Sequence, residues 1–317
     1  MMKKIFINGS EGTTGLRIFE RFEKRDDVEL LKIPSELRKD PHTVKQFMHD
    51  SDVTFLCLPD SAAKEAAALA ADEEVILIDA STAHRTEPGW VYGFPELSAD
   101  HREAIRSAQR IAVPGCHATG MISLVYPLVA GGILPPTYPV SCFSVTGYSG
   151  GGKKMIEAYE ADDRSRELYA PREYGLSQMH KHLKEMTTVT GLSRDPLFSP
   201  IVADFYSGML VSVPVYADRL NGSQTLTTIH DAYAAHYDGE KLIRVMPLGA
   251  ENDMEGFLGS NNCAGWDGLE IFVTGNNDRI LLSARFDNLG KGASGAAIQC
   301  LNIALGCEET TGLNLDM

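Results

Sequence analysis

The feature that most constrains this chain lies at its start. An apolar run, Lys4-Ile5-Phe6-Ile7-Asn8, passes directly into Gly9-x-x-Gly12-x-x-Gly15, and then into a stretch from Leu16 to about Lys24 with helical spacing of its apolar residues. Strand, glycine turn and helix in that order open a βαβ unit. The glycines let the backbone turn tightly and approach a pyrophosphate, while the helix N-terminus offers free N–H groups and a partial positive charge. Thr13 adds a hydroxyl at the same place. The spacing departs from the commoner G-x-G-x-x-G, and a plain strand-to-helix turn would use the same glycines.

Beyond this helix the alternation continues. Val28 to Ile33, Val53 to Leu58 and Val75 to Ala80 read as strands, and the Ala-rich stretch from Ser61 to Ala71 reads as a helix. Alternating strands and helices predict a parallel, doubly wound sheet. After Ile111-Ala112-Val113 the pattern changes. Val140 to Gly147, Met209 to Tyr216, Leu269 to Val273 and Ile280 to Phe286 alternate as strands of a mixed or antiparallel sheet, and Gly290 to Leu305 reads as a helix. The predicted fold class is α/β: a dinucleotide-binding doubly wound domain plus an α+β catalytic and dimerisation domain with a mixed sheet. A length of 317 residues suits two domains. The expected division is 1–116, completed by a C-terminal helix over 290–317, and 117–289. No repeat or low-complexity linker interrupts it.

The segment after the second strand, Lys32-Ile33-Pro34-Ser35-Glu36-Leu37-Arg38-Lys39, lacks the acid that usually binds ribose hydroxyls in an NAD site. Ser35, Arg38 and Lys39 suit a 2′-phosphate, so the expected cofactor is NADP(H), although Glu36 sits among them and a solvated loop of mixed charge would look similar.

Chemistry concentrates at Pro114-Gly115-Cys116-His117-Ala118-Thr119-Gly120, where a strand gives way to an apolar helix. Cys116 falls at or near the helix N-terminus, whose partial charge favours the thiolate that attack on an acyl carbon requires. Met179-His180-Lys181-His182-Leu183-Lys184-Glu185 holds the densest histidine cluster. An imidazole there can move a proton near neutral pH, and Glu185 can orient or charge the histidine three residues earlier. A solvated polar face is the competing reading. If the segment is helical, residues two apart point to different sides, which would separate His180 from His182.

Bulk properties exclude other classes. A formal net charge of −14 argues against nucleic acid as a partner. No apolar run approaches the ~20 residues of a membrane span, and the N-terminal apolar stretch is too short for a signal peptide. Six cysteines at 57, 116, 142, 263, 300 and 307 form no CxxC pair, so neither a zinc site nor a disulfide framework is expected. The chain reads as cytoplasmic, with no metal and no membrane association.

Several further motifs occur in one order: Phe55-Leu56-Cys57-Leu58-Pro59, Ile78-Asp79-Ala80-Ser81-Thr82-Ala83-His84-Arg85, Tyr92-Gly93-Phe94-Pro95-Glu96-Leu97, Val113-Pro114-Gly115-Cys116, Thr146-Gly147-Tyr148-Ser149-Gly150-Gly151-Gly152-Lys153, His180-Lys181-His182-x-x-Glu185, and Asp287-Asn288-Leu289-Gly290-Lys291-Gly292-Ala293-Ser294-Gly295. Together they resemble the short form of the N-acetyl-gamma-glutamyl-phosphate reductases, over nearly the whole chain. The resemblance implies NADPH-dependent reduction of N-acetyl-L-glutamyl 5-phosphate to the 5-semialdehyde, with release of inorganic phosphate, in arginine biosynthesis. It implies Cys116 as nucleophile, His180 (His182 second) as acid/base, and Gly150, Gly152 and Asn288 near the cofactor. It places Arg85 and Glu185 with substrate or phosphate, though Arg85 is equally a surface arginine at a strand end. It further implies a homodimer or homotetramer, with the sheet of the second domain as interface. This chain departs from the common pattern at Val113, at His117-Ala118-Thr119 where Tyr-Pro-Thr is usual, and at Lys184 where Pro is usual. Competing functions are the same chemistry on aspartyl phosphate, a non-redox cysteine acyltransferase, and a nucleotide-sensing module.

Overall fold

A computed structural model describes residues 2–71 and 73–316. The chain divides into two compact units, one holding residues up to Gly115 together with Ala293–Leu313, the other holding Cys116–Gly292 and the tail from Asn314.

In the first unit β1 (Lys3–Asn8) leads into α1 (Thr13–Phe22), then β2 (Val28–Leu31), α2 (Pro41–His49), β3 (Val53–Leu56), α3 (Asp60–Leu69), β4 (Ile76–Asp79), β5 (Val91–Tyr92), α4 (Ala99–Ser107) and β6 (Arg110–Ala112). The six strands form a sheet in the order β2-β1-β3-β4-β6-β5, parallel at every pairing. β3 is buried along its whole length and β1 over its last four residues, as a sheet covered on both faces requires. α1 starts three residues earlier than its apolar pattern indicates, because Gly12 takes an extended conformation and caps it. Ile18 and Phe22 then face the core with Ile5, Ile7 and Phe55.

The second unit opens on α5 (Cys116–Ala130), followed by β7 (Ser141–Gly147), α6 (Lys153–Glu160), β8 (Arg172–Glu173), α7 (Leu183–Thr190), β9 (Leu197–Ala203), β10 (Met209–Tyr216), α8 (Leu226–His236), β11 (Ile243–Val245), β12 (Leu269–Gly275) and β13 (Arg279–Phe286). The sheet order is β11-β12-β13-β10-β7-β9-β8; β11/β12 and β7/β9 are parallel and the remaining pairs antiparallel. α5 is apolar nearly all round and almost wholly buried, as a central helix should be. It packs on β10 and β13, and a side chain at Gly120 would run into Val211 and Phe286. The opposite face of the sheet is different. Phe143, Leu197, Tyr216 and Leu281, on four strands, all point there and are exposed.

The last helix, expected as one run from Gly290, is in fact two segments. A wide π turn spans Gly290–Ser294, and α9 (Gly295–Ala304) follows. Ala296, Ala297, Ile298, Cys300, Leu301 and Ile303 of α9 join the core of the first unit. Beyond it Asn314 crosses to the second unit, where its backbone pairs with Asp267. Among the described residues no helix is long and apolar enough to cross a membrane.

Candidate active site

In the first unit the glycine turn is built for close backbone approach. Gly9 has φ +93°, and a side chain there would collide with the Cys57 carbonyl. A side chain at Gly15 would collide with Gly9 itself. No side chain caps the N-terminus of α1 and no acid lies in its first turn. A turn this tight, leading into helix N–H groups that no side chain caps, fits a dinucleotide pyrophosphate. Arg38 closes the short turn Ser35–Leu37 and pairs with Glu11 of the glycine turn, so one of the expected 2′-phosphate ligands stands beside the cradle. Ser35 and Lys39 are exposed next to it.

Arg85 is tied to the C-terminal ends of two parallel strands. Its Nε donates to the Val113 carbonyl at 2.9 Å and an Nη to the Ala80 carbonyl at 3.4 Å. The loop before it is pinned by Asp79, which is fully buried. The Asp79 carboxylate accepts from the Ser81 hydroxyl at 2.7 Å and lies 2.6 Å from His84 Nδ1, and His84 stacks on Trp90 at 4.0 Å. Strand C-termini are where open α/β sheets bind ligands, which favours a ligand role for Arg85 over a surface one.

In the second unit Cys116 is the first residue of α5 and is half-buried. The π turn lies behind it: a side chain at Gly292 would approach its Cβ to 2.9 Å. Around the same helix end gather three imidazoles. His117 lies with ring centres 5.5 Å from His180 and 5.6 Å from His182, and His180 and His182 meet edge to face at 4.7 Å. The alternation expected of His180 and His182 therefore does not hold. The segment is a turn leading into α7, neither helix nor strand, and it turns both rings to one side. The His182 N–H donates to His180 Nδ1 at 3.2 Å, which leaves the proton of a neutral His180 on Nε2. His182 is buried, 4.0 Å from the buried Glu185 carboxylate. The cluster is thus no solvated face.

The glycine loop and Asn288 belong to this unit too. Gly152 takes φ +75° where the turn Tyr148–Gly151 hands over to α6. The Asn288 amide is engaged at both ends, its Nδ2 donating to Ser149 at 3.1 Å and its Oδ1 accepting from the Gly208 N–H at 2.8 Å, and a side chain at Gly150 would meet it at 3.3 Å. Sequence reasoning missed Tyr174 and Ser144, which hold His117 from either side at 2.6 Å. No motif marks them; only the fold brings β7 and the end of β8 to α5.

A dinucleotide cradle on a parallel sheet in one unit, and in the other a cysteine heading a buried helix beside paired histidines, point to the semialdehyde dehydrogenase class. Two family models agree, the semialdehyde dehydrogenase NAD-binding domain over residues 4–108 and the semialdehyde dehydrogenase dimerisation domain over residues 116–288. The chain is similar to N-acetyl-gamma-glutamyl-phosphate reductase 2 of a Nostoc species, 45% identical over 98% of this chain and 99% of that one. It is 44% identical to the N-acetyl-gamma-glutamyl-phosphate reductase of Brucella ovis, over 96% of this chain and all of that one. It belongs to the N-acetyl-gamma-glutamyl-phosphate reductase family. In fold it resembles aspartate semialdehyde dehydrogenase II of Vibrio cholerae, with TM-score 0.73 at 16% identity over 96% of this chain and 99% of that one. It also resembles the Candida albicans aspartate semialdehyde dehydrogenase, with TM-score 0.62 at 14% identity over 96% and 98%.

Proposed function

We propose that this protein reduces N-acetyl-L-glutamyl 5-phosphate to N-acetyl-L-glutamate 5-semialdehyde with NADPH, through a thioester on Cys116, as a step of arginine biosynthesis. The observation that carries the reading is the clustering of His180, His182 and Glu185 around the helix that Cys116 heads. The Cys116 sulfur attacks the acyl carbon, the carbon–oxygen bond to phosphate breaks, and phosphate leaves with the electron pair. Arg85 binds the phosphate or the substrate carboxylate, a task suited to a guanidinium. When bound, NADPH supplies the hydride that reduces the thioester carbonyl. His180, through Nε2, gives a proton to the resulting oxygen and takes it back as the carbon–sulfur bond breaks. His182 and Glu185 hold His180 and the substrate in place.

Gly9, Gly12, Thr13 and Gly15 hold the pyrophosphate, and Ser35, Arg38 and Lys39 the 2′-phosphate. Gly150, Gly152 and Asn288 shape the wall against the nicotinamide. The dinucleotide domain is the first unit, residues up to Gly115 with α9, and the catalytic domain the second, from Cys116 to Gly292. The exposed apolar sheet face of the latter pairs two copies into a homodimer, the building block of any tetramer. The protein works in the cytosol, where its six free cysteines stay reduced.

The test is phosphate-dependent NADP reduction with N-acetylglutamate 5-semialdehyde and with aspartate semialdehyde as competing substrates. Strong preference for the former is expected. Equal use of both, or turnover without phosphate, would overturn the substrate assignment.

A further inference from the structure

His117 directly follows the cysteine, and its environment is unusual. It is buried, and both ring nitrogens have a partner at 2.6 Å: Nδ1 faces Ser144 Oγ and Nε2 faces the Tyr174 hydroxyl. A neutral imidazole has one donor and one acceptor nitrogen, so the two hydrogen bonds run in one direction through the ring. Two arrangements are open. In the first, Tyr174 donates to Nε2 and Nδ1–H donates to Ser144. The Ser144 hydroxyl hydrogen must then find another acceptor, yet Ser144 is fully buried and His117 is its side chain's hydrogen-bond partner among the described residues. That hydrogen would be stranded, at a full desolvation cost. In the second, Ser144 donates to Nδ1, Nε2–H donates to the Tyr174 oxygen, and the Tyr174 hydroxyl proton is left to point elsewhere. Tyr174 is only half-buried, so its proton has somewhere to go. Satisfying Ser144 selects the second arrangement.

We propose that Tyr174 donates a hydrogen bond to the anion that forms at Cys116 during the reaction, and that Ser144 and His117 are positioning residues that turn its proton there. The inference rests on the thioester reading of Cys116. Two electrostatic facts agree with it. Burial, then the charges of His180 and Lys181, push His117 down to about 3, so the ring stays neutral and its polarity fixed. Burial, then charge on Cys116, raise the Tyr174 phenol, so it remains a donor and feels the sulfur. Tyr174 keeps its proton throughout; the hydrogen bond strengthens as negative charge appears on the sulfur or on the oxygen of its adduct.

The experiment compares kcat and the KM for NADP of Tyr174→Phe, Ser144→Ala, Ser144→Thr, the Ser144→Ala/Tyr174→Phe double variant and Cys116→Ala. Tyr174→Phe should lose about 10- to 100-fold in kcat with little change in the KM for NADP, the usual cost of removing one donor to a charge. Ser144→Ala should lose less, and Ser144→Thr, which keeps the hydroxyl, should recover most of the wild-type rate. The double variant should be no slower than Tyr174→Phe alone, since without the phenol hydroxyl there is nothing to point. Losses that multiply in the double variant, or a Tyr174→Phe enzyme as fast as wild type, would overturn the proposal. If Tyr174→Phe is unaffected while Cys116→Ala is inactive, the donor fails and the thioester stands. Turnover by Cys116→Ala would remove the thioester itself.

Discussion

Cys57, Cys142 and Cys263 sit where a thiolate is costly. Burial pushes Cys57 up to about 12, helped by the charge of Asp79, and burial also raises Cys142 and carries Cys263 up to about 12. Cys116 alone heads a helix. Iodoacetamide near neutral pH should therefore modify Cys116 first, as peptide mapping would report, and NADP should still bind to the alkylated protein; prior labelling of Cys57 or Cys142 would count against Cys116 as the reactive thiol. His117 offers a second test. Its folded pKa of about 3 lies below the ordinary 6.5 it regains on unfolding, so the unfolded chain binds the extra proton between those values. Stability contributed this way is fully present above pH 6.5 and is lost as pH falls toward 3, amounting to a few kcal/mol in order of magnitude. Denaturation measured from pH 7 to pH 5 should show this fall, and His117→Gln should flatten it. An equally steep fall in the variant would assign the slope to other groups. At this scale much was legible from the sequence. Cys116 and the histidine pair stood out by residue type and position. Tyr174 and Ser144 did not, because their meaning lies in which side chain they touch, and nothing local to residue 174 or 144 encodes that.

Elements with a strong period were legible: β1, β3, β4, β7, β10, β13 and the Ala-rich α3 lie within a few residues of their patterns. Others were silent for identifiable reasons. α4 buries only Ile105, so it has no apolar stripe to read. β9 carries Pro200 at its centre, which argues against a strand; the fold tolerates it where β8 has already ended and Tyr174 donates to the Pro200 carbonyl. The turn that presents His180 was beyond any periodic signal. It is held by Gln178, a non-glycine residue at φ +56° whose side-chain amide pairs with both backbone groups of Phe198, at 2.8 and 2.9 Å. Gln178→Ala should let the turn drift and cost about 10- to 100-fold in kcat while leaving the dissociation constant for NADPH unchanged, because misplacing a reacting group by an ångström can cost about a hundredfold. A rate equal to wild type would mean that α7 alone fixes the histidines. In the first unit Gly9→Ala should do the reverse. Strain and the clash with Cys57 should cost about 1–3 kcal/mol and weaken NADPH binding, measured by calorimetry.

At the scale of the molecule, charge and the exposed sheet face act against each other. Each chain carries a formal charge of −14. Yet Phe143, Leu197, Tyr216 and Leu281 leave exposed apolar side chains on one side of the second sheet. Of the charged groups on that side, Arg285 and Glu270 are buried and joined at 2.7 Å, while Arg244 and Arg279 are exposed. Apolar contact should hold two copies together and net charge should oppose it, so association should strengthen from low to physiological salt as repulsion is screened. Light scattering should show a dimer, and Leu281→Glu together with Phe143→Glu should yield a monomer. A dimer that survives both changes would place the interface elsewhere.

The return of α9 to the core of the first unit has a consequence for how the chain is made. A ribosome emits the nucleotide-binding half first, but that half lacks six core side chains until residues 296–303 emerge, about 180 codons after Gly115. The second half is continuous from Cys116 to Gly292 and waits only for the tail from Asn314, which pairs with Asp267. The nascent first unit must spend most of translation with an open apolar trough. A premature stop just before Gly295 would thus damage the end of the protein farthest from it in sequence, and limited proteolysis of such a product should cut within the first hundred or so residues before it cuts the mixed sheet.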